Sequence, residues 1–224
     1  MSNIAKISLT LVLAASTIRF GAASDRREKV PDPRTDFQAY TAYMLREHFP
    51  NVPLINQDKK KVHFYDDLIK GKIVVIQFMF SHCEQLCPMV TPNLVKVQKE
   101  LQKQAPGEVS FVSITVDPEH DTPEALKAYS QKFRIQPGWQ FLTGRRADID
   151  RIRRELGVLD PEDQQFEHMN VLTIGNEPAG DWFGTRALDK PSVIAYTVLR
   201  SASRTKPEVL KPTSASHPRF VAGR

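Results

Sequence analysis

One run of residues limits the possible folds of this 224-residue chain more than any other, the segment Lys72–Phe80 (KIVVIQFMF). After Lys72 the run is apolar at every position except Gln77. A strand with one solvent face would alternate polar and apolar residues, so an unbroken run predicts a central strand that is covered on both faces. The chain is therefore expected to build a sheet that is protected by other elements on either side.

The rest of the sequence alternates between the two kinds of periodicity. Further strands are predicted at Lys61–Phe64, Val109–Val116, Trp139–Leu142 and Val171–Ile174, the last followed by a turn at Asn176–Gly180. Helices are predicted at Thr35–Phe49, Pro88–Gln104, Pro123–Phe133, Asp148–Leu156 and Pro191–Arg200, with Thr122 as the N-cap of the third. This alternation predicts an α/β domain with a largely parallel central sheet flanked by helices.

The two ends of the chain differ from this body. Residues 1–23 have the pattern of a cleaved export signal, with Lys6, the apolar stretch Ile7–Ala15 and the small residues Gly21–Ala23. The apolar stretch is shorter than the roughly 20 residues that cross a bilayer, although an uncleaved anchor is the alternative. We assign residues 24–34 to a linker, 35–200 to the folded domain and 201–224 to a disordered basic tail. We expect the protein to be exported and to lie in the periplasm, or to be associated with a membrane and face the periplasm.

Charge and motifs exclude several classes of function. Residues 1–34 carry a net charge of +3 and residues 201–224 carry +4, which leaves −2 for residues 35–200 out of +5 overall. A nucleic-acid-binding domain would concentrate basic charge on its folded part, so nucleic acid is not an expected partner. The sequence contains neither of the common glycine-rich phosphate-binding motifs, nor the serine elbow of hydrolases.

The chemistry is expected at Cys83 and Cys87, in the segment CEQLCP. This segment follows the best predicted strand and opens a helix, which is where open α/β sheets place their sites. The helix N-terminus favours anions, so one or both thiols are expected to ionise more readily. The pair could form a disulfide or bind one soft metal ion such as copper(I) or zinc. The alternatives without a function are a plain structural disulfide and two buried, inert thiols.

A metal held by two thiolates usually needs a third ligand, and the chain offers six histidines. His82 adjoins Cys83, but neighbouring side chains in a loop often diverge. His168 precedes the strand at Val171 in a polar loop, from which it could reach the same edge of the sheet. Spacing alone does not favour His168 over His82. Asp117 follows the strand at 109–116 and is a candidate for orienting a ligand or tuning a thiol, although a loop and helix cap explain most of its segment.

Taken together, these motifs resemble the Sco/SenC family. The resemblance rests on a strand that ends in Phe80, on C-x-x-x-C-P at Cys83–Pro88, on V-D-P-E-H-D-T-P-E at Val116–Glu124, on F-L-T-G and on a downstream loop histidine. It covers about Val52 to Phe183. It implies a thioredoxin-like domain that binds a copper ion and helps to mature the dinuclear copper centre of cytochrome c oxidase.

The resemblance also implies roles for individual residues. Cys83 and Cys87 match the family's copper-binding cysteines, His168 matches its histidine, and Asp117 falls in its aspartate motif. The chain departs from many relatives in having Glu84 directly after the first cysteine. The expected function is a copper metallochaperone whose partner is the copper-bearing subunit of cytochrome c oxidase or another copper protein. A thiol–disulfide oxidoreductase, in which Cys83 and Cys87 are the catalytic residues, and a redox or copper sensor are the alternatives.

Overall fold

The apolar run forms a strand, Ile73–Met79, in which every residue is buried. It lies in a computed structural model that describes residues 48–83, 87–158 and 170–205. The predicted export signal, the linker, most of the helix at 35–49 and His168 lie outside the described residues, as does the tail from residue 206 onward. All the described residues belong to one compact unit.

The described part of the chain contains seven strands and four α-helices. The strands are β1 (Pro53–Asn56), β2 (Lys61–His63), β3 (Ile73–Met79), β4 (Val109–Thr115), β5 (Trp139–Thr143), β6 (Val171–Asn176) and β7 (Asp181–Arg186). The helices are α1 (Cys87–Gln104), α2 (Pro123–Lys132), α3 (Arg146–Glu155) and α4 (Pro191–Ala202). A short π-helical segment at Phe64–Ile69 joins β2 to β3. Within these ranges, no helix is both long and apolar enough to cross a membrane.

The sheet is mixed, so the prediction of a largely parallel sheet was wrong. Its strand order is β2-β1-β5-β4-β3-β6-β7, and only the β3–β4 and β4–β5 pairs are parallel. The alternation of strands and helices holds from β3 to β5. Beyond it, β6 returns antiparallel to β3 and forms a hairpin with β7, while β1 pairs antiparallel with β2 and with β5. The two outermost pairs, β1–β2 and β6–β7, join consecutive strands through short connections, which need no crossover helix.

The core has two layers, one on each face of the sheet. Ile73 and Val75 point into a cluster with apolar residues of α1, α2 and α4. Val74 and Ile76 point into a second cluster with residues of α3 and the π-helical segment. The prediction that β3 is covered on both faces is therefore confirmed.

Local signals explain where several elements begin and end. The Thr122 side chain accepts a hydrogen bond from the Ala125 amide at 3.3 Å, which confirms the predicted cap of α2. Gly157, with a φ of 66°, follows the end of α3 in the left-handed conformation that glycine adopts without strain. The closing helix α4 continues to Ala202, two residues beyond its predicted end, and Ser201 and Ala202 are buried.

The topology brings three chain segments to one edge of the sheet. The parallel strands β3 and β4 end there, and the Val116 amide donates a hydrogen bond to the Met79 carbonyl at 2.8 Å. Because β6 is antiparallel to β3, with Leu172 opposite Gln77, β6 begins at this same edge. The described residues that follow β3 and β4 therefore lie at the same edge as the start of β6.

Candidate metal centre

The two cysteines meet at the junction between β3 and α1. A tight turn follows the strand, in which the Cys83 amide donates to the Phe80 carbonyl at 3.3 Å. Cys87 is the first residue of α1, and its backbone amide lies 3.4 Å from the Cys83 sulfur. Both residues are thiols in the structure. The fold thus brings together the two sulfurs that the sequence singled out.

Both thiols are buried, and burial changes the ionisation that was expected for Cys87. Cys83 is 7% exposed and Cys87 is 1% exposed, and both pack into the core layer beside α1. The pKa of the Cys87 thiol is raised to about 12, chiefly by burial. A hydrogen bond with the Phe80 backbone opposes this rise, and the neighbouring Cys83 and Asp121 contribute to it. For Cys87, the prediction of easier ionisation was therefore wrong, because loss of hydration outweighs the effect of the helix terminus.

A buried carboxylate, Asp121, holds the loop that carries Cys83. Its oxygens accept hydrogen bonds from the Ser81 amide at 3.0 Å and from the hydroxyl groups of Ser81 and Thr115. Asp121 is fully buried, and its charge is one of the smaller causes, after burial, of the raised pKa of Cys87. This residue was missed by sequence reasoning. The available signal was the second aspartate of the D-P-E-H-D segment, but its burial depends on packing between two loops.

Asp117, the candidate for orienting a ligand, contacts two imidazoles. Its Oδ2 atom lies 3.2 Å from His82 Nε2 and 2.9 Å from His120 Nδ1. His82 is exposed while the adjacent Cys83 is buried, so the two neighbours do diverge as expected. Among its charged neighbours, Arg146 lies 3.7 Å from the other carboxylate oxygen.

The remaining candidate ligand, His168, lies outside the described residues, but the described chain begins again close by. Asn170 accepts a hydrogen bond from the Ala187 amide at 2.7 Å through its backbone carbonyl. The Asn93 side chain of α1 donates to the carbonyls of Ala187 and Asp189, both at 2.8 Å. The residue two positions after His168 is therefore connected through two hydrogen-bonded steps to the helix that Cys87 opens.

The described residues fit a soft metal ion. A thiol pair in contact offers two polarisable donors to one ion, and thiolates select copper(I) and zinc over hard cations. Metal binding displaces the thiol protons, so a thiol whose pKa is raised binds metal more tightly as the pH increases. The same contact also permits disulfide formation, which would remove both donors.

Comparison with known proteins extends this description beyond the geometry. The family model for SCO1/SenC matches residues 45–177, which is more than half of the chain. The SCO1 protein homolog of Bacillus subtilis is 36% identical over 90 residues, which cover 40% of this chain and 45% of that protein. The chain spans about half the length of the curated relatives it matches.

Three solved structures share the fold. A SCO1/SenC family lipoprotein from Bacillus anthracis is 31% identical, with a TM-score of 0.59 over 69% of this chain and 94% of that one. BsSco, a member of the Sco family of cytochrome c oxidase assembly proteins with a disulfide switch, is 25% identical, with a TM-score of 0.58 over 69% and 94%. Bradyrhizobium japonicum ScoI with copper bound is 25% identical, with a TM-score of 0.53 over 66% and 96%. The expected thioredoxin-like fold is confirmed, and the chain belongs to the SCO1/SenC family.

Proposed function

We propose that this protein is a copper metallochaperone, which carries one copper ion as cargo bound by Cys83, Cys87 and His168. The observation that carries the proposal is the contact between the Cys87 amide and the Cys83 sulfur at the end of the central strand. Two soft sulfur donors in one place suit copper(I), and their burial protects the ion from water and oxidants. Release then proceeds by ligand exchange with an acceptor that offers its own thiols or imidazoles.

The place of His168 in the ligand set rests on topology and on family resemblance. The strand β6 begins at the edge where β3 ends, and Asn170 is connected to α1 through Ala187 and Asn93. Because His168 precedes Asn170 by only two residues, this connection supports a place for its imidazole near the thiol pair. We assign the third ligand to His168 because it occupies the position of the family histidine.

The proposed acceptor is the dinuclear copper centre of cytochrome c oxidase. Membership of the family supports this assignment, and the related BsSco belongs to a group of cytochrome c oxidase assembly proteins. The related ScoI was solved with copper bound. We further propose that residues 1–23 export the chain to a periplasmic or membrane-facing location. N-terminal sequencing of the exported protein tests this, since a start at Ser24 would support cleavage and a start at Met1 would contradict it.

Copper titration tests the metallochaperone proposal directly. The full chain, without an affinity tag and fully reduced under anaerobic conditions, is titrated with Cu(I) against a chromogenic competitor. We expect close to one copper per chain, no tight binding in Cys83→Ser or Cys87→Ser, and an affinity loss of about tenfold or more in His168→Ala. His63→Ala, which removes an exposed histidine of β2, is the control. Unchanged affinity in both cysteine variants would refute the proposal.

A thiol–disulfide oxidoreductase is the second candidate, because the two thiols are close enough to exchange with a partner disulfide. The raised pKa of Cys87 opposes a role for this thiol as the attacking nucleophile at neutral pH. If the candidate holds, copper-free Cys87→Ser should accumulate a mixed disulfide. The deprotonated Cys83 attacks a disulfide of a partner peptide, the partner's S–S bond breaks, and the displaced partner thiolate takes up a proton from water. The metallochaperone proposal predicts no such accumulation above that seen with Cys83→Ser.

A further inference from the structure

A second group of metal-ligand side chains lies beside the cysteine pair, and the proposed function does not use it. It consists of His82 from the loop after β3, and of Asp117 and His120 from the loop after β4. One ligand atom from each of the three residues lies within 4.8 Å of the others. Two chain segments that are far apart in sequence thus converge on one small region of the surface.

The geometry of this group is organised around the Asp117 carboxylate, and both imidazoles contact its Oδ2 atom. Asp117 Oδ2 lies 3.2 Å from His82 Nε2 and 2.9 Å from His120 Nδ1. The two imidazole rings are 5.6 Å apart between centroids and inclined at 73°. Because both nitrogens already face the same oxygen, an ion that replaces their protons needs only small side-chain movements.

Hydrogen bonds from its own backbone amides hold the loop that supplies Asp117 and His120. The Asp117 amide donates to the Thr115 hydroxyl at 2.9 Å, and the Asp121 amide donates to the Asp117 carbonyl at 2.9 Å. Asp121 in turn binds Ser81, which precedes His82. The buried Asp121 carboxylate therefore fixes the two loops relative to each other, and with them the three donors.

The neighbouring positive charge lies on the far side of the carboxylate. Arg146 approaches Asp117 at Oδ1, with a separation of 3.7 Å, and is bound to Glu119 and to the Val116 carbonyl. His82 faces Oδ2, and His120 Nδ1 lies 2.9 Å from Oδ2 and 3.1 Å from Oδ1. A cation on the imidazole side thus gains the carboxylate charge, while Arg146 is already neutralised in part by Glu119.

The donor types define the class of ion. Two imidazole nitrogens and one carboxylate oxygen suit borderline divalent ions such as Cu(II) and Zn(II), whereas the thiol pair suits Cu(I). His82 and His120 are more than half exposed, which leaves room for water or another ligand at open coordination positions.

We propose that His82, Asp117 and His120 form a second metal site, which binds one borderline divalent ion and is distinct from the thiol site. The proposal does not depend on the proposed function, since none of its three ligands is a cysteine. It places a site for a divalent ion directly beside Cys83, because His82 is the preceding residue in the chain.

The test uses the full chain without an affinity tag, in a Cys83→Ser/Cys87→Ser background that removes the thiol donors. Cu(II) is added, and its binding is followed by competition titration and by electron paramagnetic resonance. We expect one tightly bound Cu(II) with two coupled imidazole nitrogens. His120→Ala and His82→Ala should each leave one nitrogen and weaken the affinity by about tenfold or more. Both side chains are exposed, so these variants are expected to fold.

Two controls separate this site from other histidines and from the thiol site. His63 is exposed and pairs with Asp67, and no second imidazole joins it among the described residues. His63→Ala in the same background should therefore leave the affinity and spectrum unchanged. His120→Ala in the otherwise native, reduced chain should still bind one Cu(I) at the cysteines. Absence of Cu(II) binding in the double-serine parent, or an identical affinity and spectrum in its His120→Ala variant, would overturn the second site, whatever the outcome at the thiols.

Discussion

The geometry of the loops after β3 and β4 depends on Asp121. Its buried carboxylate accepts hydrogen bonds from the Ser81 amide and from the hydroxyl groups of Ser81 and Thr115. In Asp121→Asn, an NH2 group replaces one of the two acceptor oxygens, and this group cannot accept a hydrogen bond from the donors that face it. We expect the free energy of unfolding to fall by about 1–3 kcal/mol, as for other buried polar groups that lose a partner.

Urea unfolding of the metal-free protein measures this effect. The matched control is Asp117→Asn, whose partners are exposed imidazoles and for which a cost below about 1 kcal/mol is expected. An equal cost for the two variants would show that Asp121 does not hold the loops together.

Tyr129 gives the protein a specific sensitivity to alkaline pH. Its hydroxyl pairs with the Thr91 hydroxyl at 2.7 Å inside the core. Burial raises its pKa above the ordinary value of 10; the bond to Thr91 opposes this, and the charges of Cys87, Cys83 and Asp121 add to it. The raised pKa contributes stability that is fully present below pH 10 and is lost as the pH rises through the value in the folded state.

Tyr129→Phe should therefore behave differently at neutral and at high pH. Near pH 7 the variant is expected to be less stable by about 1–3 kcal/mol, because the Thr91 hydroxyl loses its partner. Above pH 10 the native protein should lose up to about 1.4 kcal/mol per pH unit relative to the variant. Urea midpoints across this range provide the measurement, with the exposed Tyr196→Phe as the control. A stability difference that stays constant with pH would contradict the assignment.

The sequence predicted the identity of the thiols better than their environment. The position of Cys83 and Cys87 after a strongly apolar strand was sufficient to select them. Their burial, and the raised pKa of Cys87 that follows from it, depend on how α1 packs against the sheet, which no local pattern contains. For the same reason, the sequence pointed to Asp117, whereas the buried carboxylate at the loop junction is Asp121.

At the scale of elements, Asn93 connects the cysteine helix to the beginning of β6. Its side chain donates to two carbonyls, at Ala187 and Asp189, and the Ala187 amide donates to Asn170. Asn93→Ala removes both of these side-chain hydrogen bonds. If His168 reaches the copper through the segment before β6, the affinity for Cu(I) should fall by about tenfold, as for other residues that orient a metal ligand.

A double-variant cycle distinguishes this effect from a general loss of stability. In a His168→Ala background, Asn93→Ala should weaken Cu(I) binding little further, because the ligand that it positions is already gone. Lys96→Ala, an exposed change on the same helix, is the control. Fully additive losses would mean that Asn93 acts independently of His168.

Strand direction was the part of the fold that the sequence did not specify. Periodicity indicates which residues form a strand but not whether its neighbour runs parallel, so the alternation from β3 to β5 was extended too far. The hairpin of β6 and β7 is fixed by tertiary fit, since a Cβ atom at Gly175 would lie 2.3 Å from the ring of Trp182. The four-residue strand β1 (PLIN) was missed because it begins with proline and ends with asparagine, two residues that are depleted in strands.

For the whole molecule, a mixed sheet places the thiol pair, the buried Asp121 and the cluster of two imidazoles and Asp117 at one edge. This arrangement separates soft donors, which are buried, from harder donors, which are exposed. The two groups therefore differ both in the ions they select and in their access to solvent.

The proposed function depends most on whether the sulfurs of Cys83 and Cys87 and the imidazole of His168 bind the same copper ion. X-ray absorption at the copper edge, on the reduced full chain loaded with one Cu(I), tests it most directly. The account predicts two sulfur scatterers and one imidazole nitrogen, with loss of the nitrogen in His168→Ala and no change in His120→Ala. A copper environment with one sulfur or none, or one in which the imidazole signal survives in His168→Ala, would contradict it.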